Sequence, residues 1–189
     1  MNRKRILWIT HTAIFIALLV SAQAVTRPMG QFVTGPIVNF ILITSGIVGG
    51  LSSAGIVAIL SPMLAFFFGI GPVFPQLIPF IMLGNFAQVT AFCLIAGKSF
   101  DDLNVSAYIR IGSAAAASSV LKFLVLWVGV TQIALSLFQD IIPPPAANNL
   151  AAMFSWPQLV TALIGSSVAV IVMPVLVRAL KYTETVEIK

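Results

Sequence analysis

The chain has 189 residues, of which 59% are apolar and only 8% charged. Soluble domains are about a quarter charged, so these proportions exclude an ordinary soluble domain and indicate an all-α membrane bundle. The net charge of +5 does not point to nucleic acid, because the basic residues gather at the ends of apolar runs. The single cysteine, Cys93, has no partner for an internal disulfide.

Arg3, Lys4 and Arg5 precede the first apolar run, residues 6–25. With Ala22-Gln23-Ala24 behind it, this start imitates a signal peptide. The run nevertheless reaches the roughly 20 residues of a membrane span and is read as a retained helix. Ala13, Ala17 and Ser21 share one face of it, where the lack of bulk lets another helix approach, within the bundle or on another protein. A polar loop over 26–36 follows, with Arg27 and Gln31 among its Gly and Pro residues. The apolar block 37–68 is too long for one span. Gly49-Gly50-Leu51-Ser52-Ser53 divides it into helices over about 37–50 and 53–68, joined by a tight turn.

A second Gly/Pro loop, 69–75, carries Phe74. The fourth helix covers 76–96. Pro79 is tolerated in its first turn, where amides lack an intrahelical acceptor. A short charged loop, 97–104, holds Lys98, Asp101 and Asp102, and a fifth helix covers 105–137. The loop 139–156 carries Pro143-Pro144-Pro145 and Asn148-Asn149, and a sixth helix, 157–180, leads into a charged tail. The expected fold is one integral membrane domain, 1–189, of six transmembrane helices.

Basic residues orient it. Arg3, Lys4, Arg5, Lys98, Arg110, Arg178, Lys181 and Lys189 fall at the termini or by even-numbered loops, whereas odd-numbered loops hold only Arg27. Both termini are therefore expected in the cytoplasm, with the longer loops one, three and five facing outward. Irregular backbone near a bilayer is buried in protein or lines a cavity, so function is expected at that outward end.

No catalytic or metal-binding group is expected, and no cofactor. His11 is the one histidine, and HExxH, CxxC, GxSxG and paired intramembrane carboxylates are all missing from the sequence. Proton- or sodium-coupled transport usually places Asp or Glu inside a span, and the spans contain none. Neutral polar residues remain: Asn39, Asn85, Gln88, Gln132 and Asn148, with Phe74 and Trp127 as flat apolar walls. Mostly apolar lining with a few convergent polar groups suits a small-molecule pocket, but the same amides also suit interhelical hydrogen bonding.

Lys122 is the charge within the apolar run 111–138. A cation at that depth costs roughly 2.5–3.5 kcal/mol unless compensated. It lies about 15 residues, roughly 22 Å, below the outer end of its helix, far for outward snorkelling. Two fates stay open: an interface or carbonyl partner, or a buried anion.

These features together resemble the substrate-binding S components of energy-coupling-factor (ECF) vitamin transporters. The resemblance covers essentially the whole chain. It rests on small size, six spans, three substantial outer loops and Ala13-Ile14-Phe15-Ile16-Ala17. Leu60-Ser61-Pro62, Gly69-Ile70-Gly71-Pro72, Pro79-Phe80-Ile81 and Gly84-Asn85 add to it. It implies a bacterial plasma-membrane subunit that binds one vitamin near the outer face, closed by loop 26–36 and by the loops after helices three and five. It implies partners too: a transmembrane coupling protein, docked on Ala13 and Ala17, and two ATPases. The S component then topples to release its cargo and hydrolyses no ATP itself, in keeping with the missing Walker A motif. The Leu-Pro-Leu-Arg signature of the folate type is not present. Lys122 and Arg27 favour an anionic cargo, pantothenate first, then cobalamin, then hydroxymethylpyrimidine or pyridoxine. A self-sufficient facilitator, a membrane enzyme and a scaffold are the rivals from other classes.

Overall fold

In hydrocarbon every backbone polar group must be satisfied within the protein, which long apolar segments achieve as helices. The computed structural model describes residues 3–97, 99–100 and 104–186. Lys98, Asp101, Asp102 and Lys189 lie outside the described residues, as do the side chains of Lys4 and Lys181, so part of the charge pattern is not placed. Among the described residues all regular structure is helical. The main elements are α1 (Arg3–Thr26), α2 (Gln31–Phe67), α3 (Ile78–Ala96), α4 (Val105–Leu126), a π-helical segment (Trp127–Ala134), α5 (Leu135–Leu137), α6 (Pro144–Met153) and α7 (Trp156–Val186). Five helical segments are long and apolar enough to cross a membrane. Large apolar side chains such as Ile14, Phe67, Ile109 and Ile171 lie exposed on the bundle surface.

The expected break in the second apolar block falls at Gly50, where φ 70° and ψ −177° leave helical space. That combination is open essentially to glycine alone. The two arms of α2 fold back on each other there. A Cβ built on Gly46 would lie 3.6 Å from the Ala54 Cβ, whereas eight residues of straight helix would separate them by about 12 Å.

Three expectations shift. The loop 26–36 is mostly helical: a 3-10 turn, Arg27–Met29, leads to Gly30 at φ 85°, and α2 begins at Gln31. One left-handed glycine redirects the chain, so little loop is needed. The loop 139–156 contains α6, because Pro144 stands at the first helical position, where its fixed φ favours a start. The fifth helix is α-helical only to Leu126, and its next eight residues are π-helical.

α2, α3, α4 and α7 form a ring of neighbours, and α1 packs outside it on α2. One apolar cluster, with Ile43, Phe92, Ile111 and Met173, fills the end of the ring nearer the chain termini. Another, with Leu77, Leu126, Val130, Ile142 and Phe154, fills the opposite end. A third, with Leu19, Leu42, Val57 and Val89, ties α1 to both arms of α2 and to α3. Between the two end clusters lies a polar layer.

Candidate functional site

Every ring helix contributes to that layer. α2 supplies Asn39, α3 supplies Asn85 and Gln88, α4 supplies Ser119 and Lys122, and α7 supplies Ser166; all are buried. Lys122, 2% exposed, does not snorkel. Its Nζ donates to Asn39 Oδ1 at 2.6 Å, and Asn39 Nδ2 donates to the Gly35 carbonyl at 2.7 Å. Gly165 makes this approach possible: a Cβ there would come within 2.7 Å of Asn39 Cβ and 2.3 Å of the Pro36 carbonyl oxygen. Gly35 does the same against Thr161, where an added Cβ would stand 2.7 Å from the Thr161 Cβ. Two glycines thus let α7 press onto α2 and hold Asn39 in line with α4.

A second set of bonds continues from Lys122. Ser119 lies three residues earlier on α4, on the same face. Gln88 Nε2 donates to Ser166 Oγ at 3.3 Å, and Ser166 Oγ lies 3.2 Å from Ser119 Oγ. Ser119 donates to the Ala115 carbonyl at 2.7 Å, so its proton is committed and Ser166 must be the donor between the two hydroxyls. Gln88 Oε1 is buried without a hydrogen-bond partner. The layer therefore holds an ammonium with a single neutral hydrogen-bond partner and an acceptor with none. Burial raises the cost of leaving such groups unmatched.

Of the residues singled out from sequence, Asn39, Gln88 and Lys122 come together. Asn85 lies one turn from Gln88 on α3, buried and without a side-chain hydrogen bond among the described residues. The others stay apart. Arg27 is exposed and bonds the Gly69 carbonyl, tying loop one to the end of α2. Gln31 is half-buried at the start of α2. Phe74 packs on the apolar cluster around Leu77 and Leu126. Trp127 is 40% exposed and stacks on Phe123 at 6.4 Å. Gln132 is exposed and donates to Thr131, and Asn148 is exposed on α6. On α1, Ala13, Ala17 and Ser21 are all exposed.

Ser119 and Ser166 were not expected. Ser118-Ser119 stands within one turn of Lys122, which is a signal of sorts, but membrane serines so often bond their own helix that this spacing alone cannot assign a cross-helix role. A shallow groove between α4 and α7, lined by Gly112, Ala116 and Ser167 among others, contains none of the layer residues named above. Among the described residues, His, Cys, Asp and Glu form no group of three or more able to hold a metal ion. Comparison with family models, curated proteins and solved structures finds no match for the chain.

Proposed function

We propose that this chain is the vitamin-binding S component of an ECF-type importer, carrying a small carboxylate vitamin, pantothenate first. It catalyses no reaction itself; ATP hydrolysis belongs to partner subunits in the bacterial plasma membrane. The observation that carries this reading is Lys122, buried in a polar layer with an amide oxygen, not a carboxylate, as its partner. A cation left without a counter-charge at that depth is costly, and an anionic cargo would relieve the cost. Two further features agree with it. Each arm of α2 reaches the lower limit of a span, roughly 17 residues, which supports counting six crossing segments, and the basic residues favour cytoplasmic termini. The small-residue row of α1 is free to take a transmembrane partner.

The layer is closed in this conformation, so cargo reaches it only when the helix ends beyond it part, with the cluster around Leu77, Leu126 and Phe154 as the plug. Reconstitution tests the proposal. Liposomes containing the chain, the coupling protein and both ATPases should take up labelled pantothenate only with ATP inside the ATPase compartment. Comparable uptake by the chain alone would make it a facilitator and end the S-component reading. Lys122→Met should lose binding and Lys122→Arg should keep part of it. If both bind as the parent does, the lysine is structural and the anionic cargo loses its support.

A further inference from the structure

We propose that Asn39 sets the charge of the cargo: its neutral amide holds Lys122 in the empty protein without cancelling the lysine's charge, so that a carboxylate can complete the pair. This inference rests on the reading of the chain as a cargo-binding subunit. The orientation of the Asn39 amide is fixed from both ends. Its nitrogen has a carbonyl acceptor in Gly35, and its oxygen has an ammonium donor in Lys122, so the reversed amide would lose both bonds. Gly165 packs against its Cβ, where an added Cβ would come within 2.7 Å. Of the three donors on Lys122, Asn39 takes one. No described carboxylate bonds to Lys122.

An aspartate has nearly the same shape as an asparagine but would close an ion pair inside the protein. Lys122 would then have no net charge to offer, and a cargo carboxylate would meet the like charge of residue 39. The unpartnered Gln88 Oε1 in the same layer adds an acceptor for a hydroxyl or amide N–H on that cargo. The class of ligand that fits is a small monocarboxylate carrying at least one hydrogen-bond donor.

Two variants separate charge from packing. Asn39→Asp keeps the shape and adds the charge, whereas Asn39→Ser stays neutral, can still bond the Gly35 carbonyl one turn back, and is too short to hold the ammonium; the charge itself is isolated by comparing a charged and a neutral ligand within each variant. In the empty, detergent-solubilised protein, Asn39→Asp should melt above Asn39→Ser by at least about 4 °C, because only aspartate pairs with the ammonium. Melting at or below Asn39→Ser, failure to fold included, overturns the proposal. Binding is then measured with pantothenate and with pantothenol, its neutral alcohol. The parent and Asn39→Ser should prefer the carboxylate by at least about 100-fold, and Asn39→Asp should lose that preference. An Asn39→Asp protein that keeps the parent's preference refutes the role of Asn39, whatever its melting point. A parent that binds no pantothenate refutes the cargo reading instead, and the melting comparison still decides whether Asn39 leaves the Lys122 charge uncompensated.

Discussion

Two rows of small residues serve opposite ends in this bundle. On α1, Ala13, Ala17 and Ser21 face outward and are exposed. On the α2–α7 seam, Gly35 and Gly165 are buried so tightly that neither would admit a Cβ without displacing a neighbour. Both rows reduce bulk and allow close approach, the usual route to helix association where lipid removes the hydrophobic driving force. The inner row is already used: it brings Asn39 opposite Lys122 and gives the bundle its polar layer. The outer row stays exposed among the described residues. Small residues thus mark a capacity for contact, and only their burial tells which contact the chain itself makes.

The inner seam breaks most severely at Gly165. Even Gly165→Ala would place Cβ 2.3 Å from the Pro36 carbonyl oxygen and 2.8 Å from the Phe40 nitrogen, backbone atoms that cannot rotate away. We expect a loss of at least about 2–3 kcal/mol, read as a fall in melting temperature or in the monodisperse fraction on size exclusion. A melting temperature equal to the parent's would show that the seam is loose. Gly50 sharpens the contrast, since it is needed for conformation and not for approach. A Cβ there meets nothing within 4 Å, so the cost of Gly50→Ala, about 1–3 kcal/mol, comes from its φ of 70° and ψ of −177°. A neutral Gly50→Ala would mean that the arms of α2 do not need this turn.

Ser166→Ala probes the layer that the seam builds. It strands Gln88 Nε2 and removes the donor to Ser119, for a loss of about 1 kcal/mol. Ser167→Ala, one residue on and exposed, is the control and should be silent. If the two variants melt alike, the chain of hydroxyls contributes nothing measurable.

The legibility of these features in the sequence follows their physics. Lys122, Asn39 and Gln88 stand out because polar side chains within apolar runs are costly enough to be conspicuous. Gly50 stands out because glycine clusters break helices. Trp127 and Gln132 are expected in the pocket, yet both are exposed. A π-helical segment carries an extra residue, and each extra residue turns the chain beyond it by about 100° relative to an α-helix, so α-helical spacing loses its meaning from Trp127 onward. Asn148 falls in an expected loop because a triple proline resembles a breaker, whereas Pro144 opens α6. Serines 119 and 166 had no sequence mark that distinguished a cross-helix bond from one to their own turn.

The smallest effect on the chain itself is expected at the outer row, and it is the most telling for function. Ala17→Leu adds bulk to an exposed position on a helix that packs mainly on α2, so stability should stay within about 0.5 kcal/mol of the parent. On the proposed function, pantothenate affinity should likewise be unaffected, because none of the layer residues named above lies on α1. On the same proposal, assembly with the coupling protein should weaken by at least about tenfold, since a leucine would prop apart two helices meant to meet across small residues. The measurement is co-purification of the module with parent and variant at matched expression. Loss of vitamin affinity with intact assembly would reverse the division of labour between the two rows: it would tie α1 to the cargo and leave the docking surface to be sought elsewhere on the bundle.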